Sequence, residues 1–177
     1  TYLMSDPKNL DEAITMLETS IKLDPKNEDS YLLIGDALYE KTPTNASAAI
    51  KNYNEVLKLN PTSVRGLVRI GVIYKRAQNP EEADAKFKQA QQIDSTFAPA
   101  YRENAEMYMK YEKPKKAIEC WRKYLALNNS LEARYRFSTA LYNGKQYCEL
   151  IKEVEGLQSN SFNNFYMERM LFYACLE

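Results

Sequence analysis

The chain contains no histidine, so the commonest general base and metal ligand is absent from all 177 residues. A cysteine nucleophile needs a neighbouring base to hold it as thiolate, and histidine cannot supply one here. Cys120, Cys148 and Cys175 are odd in number and widely spaced, so they match no metal or redox motif and are expected to be buried free thiols. Two carboxylate pairs, Asp11-Glu12 and Glu81-Glu82, could in principle share acid and base roles. Each pair falls in the first turn of an expected helix, where acids complement the unbonded amide groups. There is no glycine-rich phosphate loop and no nucleophile elbow. The sequence therefore predicts no catalytic residue, no metal site and no cofactor, and the chain is not expected to be an enzyme. Twenty-four Lys and Arg against 24 Asp and Glu leave no general field for nucleic acid. No apolar run approaches the ~20 residues that span a bilayer, so no membrane insertion is expected in this segment.

The elements are clearest between Val64 and Phe97. Leu67, Ile70, Gly71 and Tyr74 recur at helical spacing, as do Ala83, Phe87 and Ala90 further on. Between the two stripes, Asn79-Pro80-Glu81-Glu82 is a helix-start signal: Asn caps free amides, Pro suits the first helical position, and Glu82 stands where a capping box needs an acid. The unit is two amphipathic helices joined by a tight turn.

This unit recurs. The second helices end at Leu23-Asp24-Pro25, Leu59-Asn60-Pro61, Ile93-Asp94-Ser95 and Leu127-Asn128-Asn129, spaced by 36, 34 and 34 residues. Small residues recur in the first helices at Gly35, Gly71, Ala105 and Ser138, and in the second at Ala13, Ala49, Ala83 and Ala117. Leu17, Tyr53, Phe87 and Trp121 follow those alanines by four residues. Helices approach closely only where a side chain is missing, and a ring beside the gap fills it.

The pattern resembles the tetratricopeptide repeat family, with its period of about 34 residues. The resemblance implies an all-α fold, a right-handed superhelical solenoid of antiparallel helix pairs. The chain is read as one repeat domain over 1–177: a half repeat at 1–27, full repeats at about 28–63, 64–97, 98–130 and 131–162, and a trailing first helix at 163–177. The fourth repeat is the weakest, with Leu150 in place of the alanine and Phe162 in place of the terminal Pro. Met4 is read as the end of a further first helix, and the last helix as apolar nearly all round, which together suggest a piece of a longer repeat protein.

In the family the first helices line a concave face, and the resemblance implies a scaffold that binds a protein or peptide there. Matched by spacing, the partner-binding candidates are Tyr39; Arg65, Val68, Val72, Lys75 and Arg76; Arg102, Glu106 and Met109; and Tyr135, Thr139 and Tyr142. Asp29, Leu32, Asp36, Glu40, Lys110, Glu132 and Asn143 belong by spacing to the same concave-facing sets. The basic residues of the second full repeat predict a ligand with acidic residues beside an apolar or aromatic anchor. The family's two-Lys, two-Asn, one-Arg clamp for chaperone tails would have to stand at Leu32, Asp36, Val72, Pro99 and Glu103, and none matches. The rival reading is a structural spacer, or a module that self-associates through its last helix.

Overall fold

The computed structural model of the chain describes residues 7–158 and 165–176. The expected helix end at Met4 and the Phe162 terminator lie outside these residues. Every regular element described is helical, and the chain falls into two compact units, Thr1–Asp94 and Ser95–Glu177. The first holds α1 (Pro7–Leu23), α2 (Glu28–Lys41), α3 (Ala46–Leu59), α4 (Val64–Arg76) and α5 (Pro80–Ile93). There α2 pairs with α3 and α4 with α5, while α1 packs on α2 and α3 on α4. The second holds α6 (Ala98–Lys110), α7 (Pro114–Leu127), α8 (Leu131–Asn143), α9 (Tyr147–Gln158) and α10 (Phe165–Ala174). It repeats the scheme, with α6 on α7, α7 on α8, α8 on α9, and α10 against both α8 and α9.

The tight turns within three of the pairs share one construction. Gln78, Glu112 and Lys145 have φ of 60°, 53° and 56°, the left-handed region. The amide that follows each donates back across the turn: Asn79 to the Tyr74 carbonyl, Lys113 to Tyr108 and Gln146 to Leu141, at 3.0, 2.8 and 2.9 Å. This is the Schellman arrangement, with a non-glycine residue in the position where glycine is commonest. Gly144, which the sequence marks as a turn or helix-end residue, is the C-cap of α8 with φ −83°, and Lys145 after it takes the left-handed place. Asn79 then starts the next helix, its side chain accepting from the Glu82 amide, with Pro80 behind it. One residue thus closes the first helix and caps the second.

The first pair turns differently. Pro43–Asn45 form a short 3-10 turn, and the Asn45 side-chain amide donates to the Leu38 carbonyl at 3.3 Å. The opening helix begins at Pro7 and carries Asn9 inside it; proline's fixed φ suits the first helical turn.

Packing follows the small-residue pattern. A Cβ placed on Gly71 would come within 2.6 Å of Phe87 Cε1, and one on Gly35 would overlap the Tyr53 ring. Both rings are buried, with Phe87 wholly inaccessible. In the second unit Ala105 and Ser138 are fully buried at the corresponding positions, and Trp121 is 2% exposed. The core of the first unit gathers Leu32, Ala49, Tyr53, Val56, Ile70 and Ile73. One expectation fails: Cys148 and Cys175 are exposed free thiols, and Cys120 is only half-buried. Cys148 follows the first residue of α9, on a turn that faces solvent.

Among the glycines, Gly71 and Gly156 make opposite predictions. Gly71→Ala forces a methyl against an immobile ring, which costs about 1–3 kcal/mol and outweighs the ~1 kcal/mol gain in helix propensity. Gly156 lies in α9 with no atom within 4 Å of the place a Cβ would take, so Gly156→Ala should stabilise by about 0.5–1 kcal/mol. Urea unfolding midpoints of the two variants should move in opposite directions.

Candidate functional site

In each unit an open pocket lies between successive first helices. The pocket of the first unit, about 550 Å³, is lined from α2 by Leu33, Asp36, Tyr39 and Glu40, and from α4 by Arg69, Val72, Ile73 and Arg76; Tyr53 of α3 forms its floor. Its charges are locked together. Arg69 donates through Nε to Asp36 Oδ1 at 2.6 Å and through Nη2 to Asp36 Oδ2 at 2.8 Å, the two-pronged geometry that favours guanidinium–carboxylate pairs. The Tyr53 hydroxyl donates to the same Oδ1 at 2.7 Å.

These contacts shift the groups concerned. Burial, followed by the hydrogen bond to Asp36, pushes the Tyr53 phenol well above the ordinary tyrosine range. Burial opposes the charge on Arg69, but the Asp36 carboxylate outweighs it and the guanidinium is raised. Three elements, α2, α3 and α4, are therefore tied at one carboxylate.

The remaining candidates of this unit are dispersed. Arg76 stacks on the Tyr39 ring, 5.2 Å from its centroid, and both line the pocket with Val72. Arg65 pairs with Asp29 outside it. Val68, like Leu32 at the same repeat position, is buried and belongs to the core. Lys75 is half-buried and lies off the pocket wall. The residues that face the pocket instead are one position later, Leu33 and Arg69.

The pocket of the second unit, about 580 Å³, is lined by Glu106 and Met109 of α6, Trp121 of α7, and Glu132, Tyr135, Arg136 and Thr139 of α8. Four sequence candidates, Glu106, Met109, Tyr135 and Thr139, meet here. Arg102 does not line it. Its guanidinium is held by Glu103 at 2.8 Å, and that hydrogen bond raises its pKa against the opposing effect of burial. Tyr142 lies apart, its ring 6.2 Å from that of Tyr147.

Residue by residue the two pockets correspond. Asp36 and Glu106 are the ninth residues of α2 and α6, Arg69 and Arg136 the sixth of α4 and α8, and Tyr53 and Trp121 the eighth of α3 and α7. The outcome differs. Arg136 gives Nε and Nη2 to Glu132 on its own helix, at 3.2 and 3.0 Å, while its Nη1 stands 3.7 Å from Glu106, beyond hydrogen-bond reach. Trp121 carries no hydroxyl, and its buried Nε1 has no hydrogen-bond partner. Of the lining residues, spacing did not single out Arg69 or Arg136 and gave Trp121 only as a packing ring, although an acid, an arginine and a ring recur at fixed repeat positions.

Among the described residues no group of three or more His, Cys, Asp or Glu side chains could hold a metal, and no helix is long and apolar enough to cross a membrane. Residues 7–27 and 64–97 match the tetratricopeptide repeat. No curated protein is significantly similar to the chain in sequence. Its backbone is similar to that of the MamA protein, at 20% identity over 87% of this chain and 84% of that one, with a TM-score of 0.70. It is similar to YrrB, a TPR protein with an unusual peptide-binding site, at 19% identity over 81% and 73%, TM-score 0.67. It is also similar to Pseudomonas aeruginosa pilF, at 18% identity over 96% and 82%, TM-score 0.73. These likenesses establish the shared fold of stacked helix pairs.

The tie at Asp36 predicts an alkaline limit to stability. The Tyr53 phenol is raised in the folded state, so its stabilisation is complete below the unfolded value of about 10 and is lost as pH rises beyond it. The free energy of unfolding should fall by about 1.4 kcal/mol per pH unit above ~10 on account of this group. Tyr53→Phe removes that part of the slope and costs about 1–2 kcal/mol at neutral pH. Urea titrations of both proteins from pH 7 to 11 would show whether the curves converge.

Proposed function

We propose that this chain, which belongs to the tetratricopeptide repeat family, is a non-catalytic protein-interaction scaffold whose first-helix pockets hold a peptide or a segment of a partner protein. The observation that carries the reading is the pocket of the second unit. Met109, Trp121, Tyr135 and the Thr139 methyl give it an apolar surface, Glu106, Glu132 and Arg136 give it a polar border, and it stays open. That combination of apolar floor and few polar groups suits the capture of a side chain with its adjoining backbone. The peptide-binding site of YrrB, a protein of the same fold, adds to the case. Tyr39, Val72 and Arg76 offer a second, smaller contact in the first unit.

Of the arginines that pointed to an acidic ligand, Arg65 pairs with Asp29, while Arg76 lies over the uncharged Tyr39 ring and keeps its charge at the pocket wall; the scaffold role does not depend on acidic character in the ligand.

A rival role, self-association, has one observation in its favour: Phe172 and Leu176, in and just beyond α10, are 61% and 68% exposed. Light scattering separates the two. A dimer that Phe172→Glu converts to monomer favours association through that helix.

The pocket reading is tested with peptides selected from a random display library on the intact chain. Trp121 is the single tryptophan, so its emission reports on the pocket directly. Selected peptides should shift that emission, and Thr139→Arg, which fills the pocket, should weaken them at least about tenfold. Binders indifferent to Thr139→Arg, or no binders at all, would overturn the reading.

A further inference from the structure

The second unit carries a basic edge that its pocket does not use. From the last residue of α6 through the first turn of α7 the chain holds Lys110, Lys113, Lys115 and Lys116, all exposed. The turn from α8 to α9 adds Lys145, also exposed, and the two turns lie side by side: a Cβ on Gly144 would come within 2.8 Å of Ile118 Cδ1 on α7. Arg122 of α7 holds Glu149 of α9 at 2.6 Å and so fixes the second turn beside the first. The other acids of this edge are Glu112 and Glu119. Five lysines therefore face two carboxylates, since the Arg122–Glu149 pair cancels itself. Lys110 and Lys116 lie over the rings of Tyr111 and Tyr108, 5.8 and 5.5 Å from the centroids. None of the five lysines is ion-paired among the described residues.

The repeat itself does not require this charge. The corresponding turn of the first unit reads Asn79-Pro80-Glu81-Glu82, a capping side chain and two acids that complement the start of α5. In the second unit the same four places read Lys113-Pro114-Lys115-Lys116, and α7 begins with no side-chain cap and no acid in its first turn. Lysines there oppose the helix dipole, so helix stability does not account for them.

We propose that this edge is a docking surface for an acidic segment of a partner protein, separate from the pockets and independent of what they hold. Ammonium groups on flexible stems meet carboxylates as point charges and demand no fixed register, so the occupant they suit is an extended run of Asp or Glu. Nucleic acid suits the edge less well. Single strands need ring faces to stack on, and the two rings here lie beneath Lys110 and Lys116. The one arginine nearby, a residue that forks onto phosphate, is already held by Glu149. A membrane surface needs apolar side chains standing out beside the cations, and no large apolar residue within 107–119 or 142–149 is exposed.

The test adds a dye-labelled peptide of about ten glutamates to the intact chain and reads its anisotropy, with binding at low salt expected to weaken at least about tenfold as salt approaches ~0.3 M. Two triple variants that remove equal charge are compared. One carries Lys113→Gln, Lys115→Gln and Lys116→Gln at the edge; the other carries Lys26→Gln, Lys51→Gln and Lys58→Gln, exposed lysines of the first unit. The edge variant should lose at least about tenfold in affinity and the other less than about twofold, with unfolding midpoints showing that both stay folded. Equal losses from the two, or no binding by the parent chain, overturn the inference. Tighter binding of a thymidine oligonucleotide with as many phosphates, or of vesicles about one-third phosphatidylserine, also overturns it and assigns the edge to nucleic acid or membrane. Thr139→Arg, which fills the pocket of the second unit, should leave the glutamate peptide unaffected. A loss of affinity there would place the peptide in the pocket and overturn the inference, while the scaffold reading would stand.

Discussion

The tightest constraint on this chain is the distance between the two helices of a pair. At Gly35 and Gly71 the first helix presents bare backbone to a ring of the second, and there is no room for even a methyl group. Everything else in the unit follows from that contact. The ring must stand one turn after a small residue on its own helix, so Ala49 precedes Tyr53 and Ala83 precedes Phe87, each alanine fully buried. The turn must bring the chains back within a few residues, which the left-handed Gln78 achieves by closing one helix and handing Asn79 to the next as its cap. Once the pair is set at this distance its outer stripe is committed to the neighbouring pair, and the remaining face of the first helix lines an open pocket.

The same close approach explains why one tyrosine joins both core and surface. Tyr53 enters the gap at Gly35 with its ring, and its hydroxyl emerges on the far side at Asp36, one residue along. Packing therefore delivers a phenol to a carboxylate with no separate device. Arg69 from the next first helix completes the tie. Its side chain is about one-third exposed, and that of Asp36 slightly less, so solvent still screens the pair and the Coulombic gain is modest. The value of the arrangement lies in geometry: two parallel hydrogen bonds set the rotation of α4 against α2 more narrowly than apolar contact can.

The helix pairs are legible in the sequence because period, small residues and rings each repeat for steric reasons. What is not legible is the last step of rotation. Spacing assigns Leu32 and Val68 to the ligand side, whereas Leu33 and Arg69 face the pocket, an error of one residue and thus of about 100° on a helix. Spacing locates the buried stripe well, but its edge depends on how each neighbouring helix leans. The exposed thiols of Cys148 and Cys175 escape a sequence reading because composition tells only how often cysteine is buried. The left-handed turn residues are hidden for another reason: Gln78, Glu112 and Lys145 occupy a place that sequence rules reserve for glycine or asparagine. Their long polar side chains extend into solvent, and the hydrogen bonds of the following amide hold the backbone against its own preference.

The two pockets differ first at the ring: a tyrosine ends in a hydroxyl that reaches a carboxylate across the gap, whereas an indole carries no hydroxyl and its nitrogen here has no partner. Trp121 is 2% exposed, and its ring meets that of Tyr124 at 81° with centroids 5.6 Å apart. Space is filled, but nothing replaces the link from ring to acid. Arg136 gives its hydrogen bonds to Glu132, four residues back on its own helix, a pair worth about 0.3–0.5 kcal/mol, and reaches Glu106 on α6 only through a looser ion pair at 3.7 Å. The second unit therefore sets its border charges around an apolar floor and leaves the indole nitrogen without a partner. The ring position that supplies a hydroxyl to a carboxylate in the first pocket supplies none in the second.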